Sequence, residues 1–505
     1  MLCIHSAWTC APVSIFHMVM LSLVWMRRDL RLYDHAALFT ALENGAAVQP
    51  VFVFDSEILA RFTQEEDRRL TFIAKRLCYL DAKLKARGGG LLIVHGKAQD
   101  VIPQLARELG AVRVVAAEDY EPSAMVRDAA VGKALEGKLT LVKDQVIFAP
   151  GEIVKDTGEP YKVYTPYSKA WISAATPASF APYEIRDDGR YGDVASLREK
   201  AKAAGLKVLE PAAGARSMLA EIGYREVYLP LWPVAEVRER LSAFIDAKVD
   251  KYVAKRDFPA DEGTSRLSPY LRFGMISVRE CARRAFDAAR KDGAPTLKTD
   301  ANYSKNGANK WLSELIWREF YAMIMYHFPE SAKTEWNPAY REKLAWSRDT
   351  GLLAAWKEGK TGYPIVDAAM RELKTTGWMH NRTRMIVASF LTKDLQIDWR
   401  LGEEHFAQLL MDYDMASNVG GWQWAASTGT DAQPYFRIFN PELQSQKFDA
   451  KGAYIRRYVP ELKSLSDSEI HAPAALLRPK DYPQPIVDHA QARDKTLAMF
   501  KNLQA

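Results

Sequence analysis

The segment Met385–Leu395 is apolar on nearly every side, a pattern a solvent-facing helix does not carry. It reads as a buried helix, and a helical domain must be built around it. The stretch that contains it, Thr361 to Phe439, has tryptophans at Trp378, Trp399, Trp422 and Trp424. It also has two carboxylates, Asp412 and Asp414, before the run Ser417-Asn418-Val419-Gly420-Gly421, which reads as a polar turn. A buried helix flanked by Arg382, Arg384, acids and indoles has the makeup of a cofactor-site wall, because plain core avoids unpaired charge.

A chain of 505 residues has room for two or three domains. Its 13 Trp stand out, since a buried indole N–H wants a partner; such an excess fits stacking surfaces or electron carriers, and also large helical cores. The net charge of +6 suits a phosphate-bearing partner if it is concentrated on one face. Cys3, Cys10, Cys78 and Cys281 form no CxxC and lie near no His pair, which argues against a disulfide scaffold and a zinc site and fits a reducing cytoplasm. No metal is expected. Residues 1–20 hold no Lys or Arg and are broken by Pro12, so they read neither as a signal peptide nor as a spanning helix. They are taken as a non-essential extension ahead of a start at Met18 or Met20.

Short β-rich runs at Leu21–Trp25, Val48–Phe54, Leu91–His95, Val112–Ala117 and Leu139–Val142 alternate with helical patterns. This predicts an α/β, doubly wound parallel five-stranded sheet over 21–150. No GxGxxG follows the first run, so a bound dinucleotide is pushed towards the C-terminal half. Residues 151–230, with Tyr161, Tyr164, Tyr167 and Trp171 among Pro, Ala and Gly, read as an interdomain connector running over the surface with one or two short helices. Helical patterns dominate 231–475, an all-α domain interrupted by the polar loop Lys291–Lys310, and 476–505 is a C-terminal segment.

Three constellations carry chemistry. At Glu262–Tyr270, Thr264, Ser265 and Ser268 surround Arg266 at a loop-to-helix junction, which suits phosphate oxygens and equally suits a capped helix. Trp311, Glu314, Trp317, Arg318 and Tyr321 recur at helical spacing on one face. That face is either a half-exposed helix with a Glu314–Arg318 pair or a pocket wall that stacks flat rings. Arg382 and Arg384 point about 200° apart on a helix, so one suits an outer phosphate and the other an inner carboxylate such as Asp412. For Trp346, Trp399 and Trp422, spacing alone implies only core packing.

Together the motifs WMRRDLRLYDHAAL, EGTSRLSPYLRFG, WLSELIWREFY, EGKTGYPIVDAAMR, GWMHNRTRM, NVGGWQW and ASTGTDAQPYFRIFNP resemble the photolyase/cryptochrome family of blue-light flavoproteins. The resemblance runs from Leu21 to about Phe500 and is greatest to bacterial class I cyclobutane pyrimidine dimer photolyases. It implies a helical domain that binds FAD. Tyr252 and Thr264, Ser265, Arg266, Leu267 and Ser268 match the residues around the diphosphate and ribityl part; Trp311, Arg384, Asp412, Tyr413 and Asp414 match the flavin and adenine pocket. Asn418 matches the residue beside flavin N5, where plant cryptochromes carry Asp and animal ones Cys. Trp422, Trp399 and Trp346 match the inner, middle and surface members of an electron-carrying chain. Glu314, Trp317, Asn381, Met385 and Trp424 match the lesion pocket, with Glu314, Met385 and Asn418 in catalytic positions. Arg256, Arg318, Tyr321, Arg382, Arg437 and Gln444 match DNA contacts.

The resemblance implies light-driven electron transfer from reduced FAD that splits pyrimidine dimers in DNA, by a cytoplasmic monomer with no membrane association. Folate-binding relatives carry an Asn-Glu pair where this chain has Ser123-Ala124. That puts a methenyltetrahydrofolate antenna in doubt and leaves the identity of a second chromophore open. The alternatives are a cryptochrome that signals without repair, a (6-4) photolyase, disfavoured by the single His in Trp378-Met379-His380-Asn381, and an NAD(P)H-dependent flavin oxidoreductase, disfavoured by the missing fingerprint.

Overall fold

Leu21–Met26 form β1, buried at all six positions, as a strand covered on both faces must be. A computed structural model describes this chain over residues 20–43, 45–186, 189–290 and 305–503. The expected extension before Met20 and most of the polar loop after Arg290 lie outside the described residues. With β2 (Ala47–Asp55), β3 (Leu92–Gly96), β4 (Ala111–Ala117) and β5 (Leu139–Val142), β1 makes a parallel sheet in the order β5-β4-β1-β2-β3. The helices Ala36–Leu42, Arg68–Lys85, Ala98–Glu108 and Pro122–Ala134 connect the strands. Five parallel strands were expected; a sixth, β6 (Lys207–Leu209), adds antiparallel to the β3 edge. Three residues are too few to show a period of two, so β6 leaves no pattern in the sequence.

β6 belongs to the connector, which is more than a surface link. It holds the helices Tyr164–Ala174, Val194–Ala203 and Ala215–Glu221, and it buries Tyr167, Trp171, Phe180, Met218 and Leu219. The expectation of one or two helices over the surface is corrected accordingly.

The predicted buried helix is present as Asn381–Ser389, running on into a single π turn, Phe390–Asp394. Every residue from Ile386 to Leu395 is buried. The run read as a polar turn is instead part of the helix Met415–Ala426. Two causes override the glycine signal. Asp414 caps the helix by accepting the Ser417 N–H at 3.1 Å. A Cβ at Gly420 would lie 2.9 Å from Tyr321 Cγ, so the glycine serves close packing rather than a turn.

Buried ion pairs join the sheet to the helical domain. Arg279 on the helix Val278–Ala289 pairs with Asp34 and with Asp144, at 2.9 Å each, and Asp144 also pairs with Arg31 at 2.6 Å. These pairs hold the loop after β1 and the C-terminal end of β5 against the helix Val278–Ala289. Among the described residues no helix is long and apolar enough to cross a membrane.

Candidate active site

The loop before the helix Ser268–Arg272 forms a cradle of donors. A Cβ on Gly263 would come within 2.7 Å of the Lys255 carbonyl carbon, so only glycine lets this loop pass the helix Tyr252–Lys255. Arg266 is left-handed at φ 49°, a conformation unusual for a non-glycine residue. Its guanidinium lies 5.0 Å from the centre of the Trp378 ring and has no carboxylate partner among the described residues. Trp378 Nε1 donates to Ser268 Oγ at 3.3 Å, and Ser265 Oγ accepts the Leu267 N–H at 3.4 Å. Thr264 makes no hydrogen bond among the described residues. A helix start with open N–H and hydroxyl donors beside an uncommitted arginine is the donor set a diphosphate requires, so the residues present fit FAD. Buried Tyr252 and Trp311 both pack on Phe244, with ring centres at 5.8 and 5.1 Å.

Arg384 reaches inward. Its Nη2 donates to both oxygens of Asp412, at 3.0 and 2.8 Å, and its Nε to the Met379 carbonyl at 2.8 Å. Arg382 reaches outward to Asp257 at 2.9 Å, with its guanidinium 4.2 Å from the Phe448 ring centre. The divergence of the two arginines follows from their spacing. Asn418 Nδ2 donates to the Glu403 carbonyl at 3.2 Å and to Glu403 Oε1 at 3.0 Å. Tyr413 Oη donates to the same Oε1 at 3.1 Å. With its NH₂ committed to Glu403, Asn418 keeps its amide oxygen as the free acceptor for a ring N–H. Glu403 was not singled out from sequence; burial pushes its carboxyl pKa up.

Glu314 lies on the helix Gly307–His327 and pairs with Arg256 and, at 3.5 Å, with Lys310. The alternative Glu314–Arg318 pair is not formed. Trp317 lies face to face with Tyr164 of the connector, ring centres 3.5 Å apart and planes 6° apart, and its ring centre is 5.5 Å from that of Tyr321. Asn381 Nδ2 lies 3.8 Å from Met385 Sδ. Trp424 is half-buried on the same helix as Asn418; Arg437 is exposed and Gln444 half-buried beyond it.

The tryptophans occupy neighbouring elements. Trp422 and Trp399 are buried, and Trp346 is half-buried. A Cβ on Gly402 would fall on the Trp422 ring, so the Trp422 indole rests directly on the helix Trp399–Leu409, one turn past Trp399. Ser347, next to Trp346, bridges Ile397 and donates its N–H to the Gln396 carbonyl at 2.6 Å. Trp346 therefore adjoins the segment that leads into Trp399. Trp356, which sequence reasoning passed over, is fully buried with its ring centre 6.0 Å from that of Trp422.

Two family profiles match the chain: one described as DNA photolyase over residues 22–183, and one described as the FAD binding domain of DNA photolyase over residues 311–502. A deoxyribodipyrimidine photo-lyase of Vibrio cholerae is 40% identical over 495 residues, covering 95% of this chain and 99% of that protein. This chain belongs to the DNA photolyase family. Among solved structures, a bacterial class III photolyase from Agrobacterium tumefaciens superposes with a TM-score of 0.79 at 33% identity, covering 98% of this chain and all of that one. An archaeal photolyase from Sulfolobus tokodaii, described with two FAD molecules, gives 0.77 at 30% identity, covering 96% of this chain and all of that one.

Within this photolyase fold, two residues expected at the cofactor or the DNA have side chains engaged with the sheet domain. Asp414 Oδ2 pairs with Arg28 at 2.5 Å and Arg272 at 3.4 Å, and these arginines hold its carboxyl well below the usual range. Arg28 also pairs with Asp119 and Glu121, at 3.2 and 3.1 Å. Arg318 donates to the Gln145 carbonyl at 2.6 Å and lines the same cluster. It lies about 6 Å beyond Glu314 along the helix axis, past the pocket rim and at the boundary with the sheet. The cluster sits at the C-terminal ends of β1 and β4, the switch point where doubly wound sheets usually take a ligand. Here the chain's own ion pairs fill that crevice down to a cavity of ≈ 20 Å³, room for about one water.

Proposed function

We propose that this chain is a deoxyribodipyrimidine photo-lyase that repairs cyclobutane pyrimidine dimers in DNA under blue light, with FAD as its resident cofactor. The observation that supports this best is the placement of Glu314 and Trp317 on the helix that also carries Trp311, in a chain 40% identical to a deoxyribodipyrimidine photo-lyase over nearly its full length. When bound, FAD would supply the blue-light absorption and the reversible one-electron chemistry that opens the dimer's ring.

The protein's own residues do the rest. Thr264, Ser265, Arg266 and Ser268 would hold the diphosphate, and Arg384, Asp412 and Asn418 would fix the edge of the ring system. Asn418 offers an amide oxygen and adds no charge beside a reduced flavin, whereas an Asp there would. Arg256, Arg382 and Arg437 meet backbone phosphates; because Arg256 and Arg382 are already paired with acids, binding exchanges one ionic partner for another. Affinity therefore falls steeply with salt. A damaged pair is poorly stacked and flips out at low cost, and photolyases are among the enzymes known to work this way. Trp317 and Trp424 then flank the lesion, and Glu314 addresses its base edge, where it stabilises developing charge by hydrogen bonding.

Trp422, Trp399 and Trp346 form the route by which electrons reach an oxidised flavin from the surface. The protein acts as a cytoplasmic monomer. A second chromophore is not assigned to a site, and the absorption spectrum of chromophores extracted from the purified protein identifies it.

Blue-light repair of an oligonucleotide carrying a single thymine dimer tests the activity. Absence of repair with FAD bound would place the chain with cryptochromes. Glu314→Ala should lower repair per absorbed photon more than it lowers DNA affinity; equal repair per photon would remove Glu314 from its role.

A further inference from the structure

The closest aromatic contact in the described protein lies between a connector residue and a lesion-pocket residue. Tyr164 and Trp317 are stacked at 3.5 Å and 6°, and no other ring pair among the described residues comes nearer than 4.6 Å. A parallel pair at that distance lays the phenol ring directly over one face of the indole. Phe320 meets Trp317 edge-on at 5.8 Å and Tyr321 leans against it at 5.5 Å. Trp317 is only half-buried among these rings, so part of the indole stays open to a ligand.

Tyr164 is itself held at both ends. Its Oη donates to the Ser313 carbonyl at 2.9 Å, one turn before Trp317 on the same helix. Its backbone N–H donates to Asp431 Oδ2 at 3.2 Å, and the Thr430 hydroxyl donates to the Lys162 carbonyl next door. Asp431 is left-handed at φ 49° and sits in the loop that follows the Trp424 helix and leads to Arg437. One connector residue is thus fastened to the helix of one lesion-facing indole and to the loop behind the other.

We propose that Tyr164 is a positioning residue for dimer recognition: it holds Trp317 as a one-sided platform, so that a flipped pyrimidine dimer stacks on a ring already in place. This rests on the reading of the Trp317 pocket as the lesion site. The physical basis is preorganisation. An indole free to turn must lose that freedom when substrate binds, whereas an indole already stacked has lost it in the fold. An aromatic pair of this geometry accounts for about a 3- to 10-fold difference in affinity. The effect falls on the damaged site, because undamaged duplex is held through phosphates and does not reach Trp317.

The test uses the full-length, FAD-loaded protein in the dark, with fluorescence anisotropy on a labelled oligonucleotide carrying one thymine dimer and on the same sequence undamaged. Tyr164→Phe keeps the ring and loses only the hydroxyl; it should bind both within twofold of wild type. Tyr164→Leu keeps apolar volume and loses the stack. It should bind the dimer about 3- to 10-fold more weakly, bind undamaged DNA as wild type does, and raise KM for repair without lowering kcat by more than twofold. The proposal is overturned if Tyr164→Leu discriminates as well as wild type, if it loses both DNAs equally, or if Tyr164→Phe is as weak as Tyr164→Leu, which would assign the effect to the Ser313 hydrogen bond. A wild-type protein with no preference for the dimer would instead refute the lesion-pocket reading beneath it.

Discussion

Replacing Glu319 by Gln tests how the lesion-facing helix is anchored to the connector. Glu319 is buried next to Arg318, and three N–H groups converge on its carboxyl. Oε1 accepts from Phe148 N–H at 2.9 Å and from Trp171 Nε1 at 2.6 Å, and Oε2 accepts from Ile147 N–H at 2.7 Å. Burial nonetheless pushes its pKa from the ordinary 4.5 up to about 7, against the pull of the three donors. Between those values the folded chain holds a proton that the unfolded chain has lost. Its contribution to stability is therefore largest below pH 4.5 and declines as pH rises through 7. A shift of about 2.5 units amounts to on the order of 3 kcal/mol. Gln keeps the shape, cannot ionise, and must turn its NH₂ towards at least one of the donors; a buried donor left unmet costs about 1–3 kcal/mol. Glu319→Gln should thus be destabilised by about that amount at pH 5, and at pH 8, where wild type has lost on the order of 3 kcal/mol, the gap should close or change sign. Urea unfolding of both proteins at the two pH values, followed by tryptophan fluorescence, measures it. An identical penalty at both pH values would refute the reasoning, because the carboxyl would then be ionised throughout.

Two further substitutions read other parts of the fold. In Gly402→Ala the new methyl would come within 2.6 Å of Leu391 Cδ2 and closer still to the Trp422 ring. The overpacking should cost about 1–3 kcal/mol and slow blue-light reduction of the oxidised flavin, and an unchanged melting temperature and photoreduction rate would exclude it. Lys393 is fully buried, donating to the Ala426 carbonyl at 3.1 Å and Ser427 Oγ at 2.9 Å, and burial pushes its pKa down from 10.5 to about 7. From pH 7 to 10 the unfolded chain holds a proton that the folded chain releases, so stability rises with pH across that window. Lys393→Met should flatten the rise; the same slope in the variant would contradict this origin.

What could be read from the chain without its fold was set by local periodicity. β1 and β2 are runs of consecutive buried residues, β3 and β4 hold shorter ones, and even the half-buried edge strand β5 is a β-rich apolar run; such runs leave a mark. The inward turn of Arg384 and the outward turn of Arg382 follow from the angle between positions two apart on a helix. β6 and the Met415–Ala426 helix were missed for opposite reasons. The first is too short to carry a pattern, and the second carries two glycines, of which Gly420 is required by a tyrosine ring about a hundred positions away in the chain.

Asp414 and Arg318 share one property that sequence spacing does not carry: their polar partners are distant in the chain. Asp414 caps its own helix by accepting the Ser417 N–H but is paired with Arg28, 386 positions away, and Arg318 donates to the Gln145 carbonyl, 173 away. Helical spacing correctly put Arg318 on the side of Glu314, yet a face says nothing about where along the axis one neighbour ends and the next begins. At Glu314 the helix borders Arg256 and Lys310; one turn on it borders the ends of β1 and β4. The same helix thus serves the pocket with one turn and the interdomain boundary with the next. For this reason the contacts of Tyr164, Glu319 and Arg318, which tie this one helix to the connector and to the segment after β5, are described by no motif in any of these segments alone.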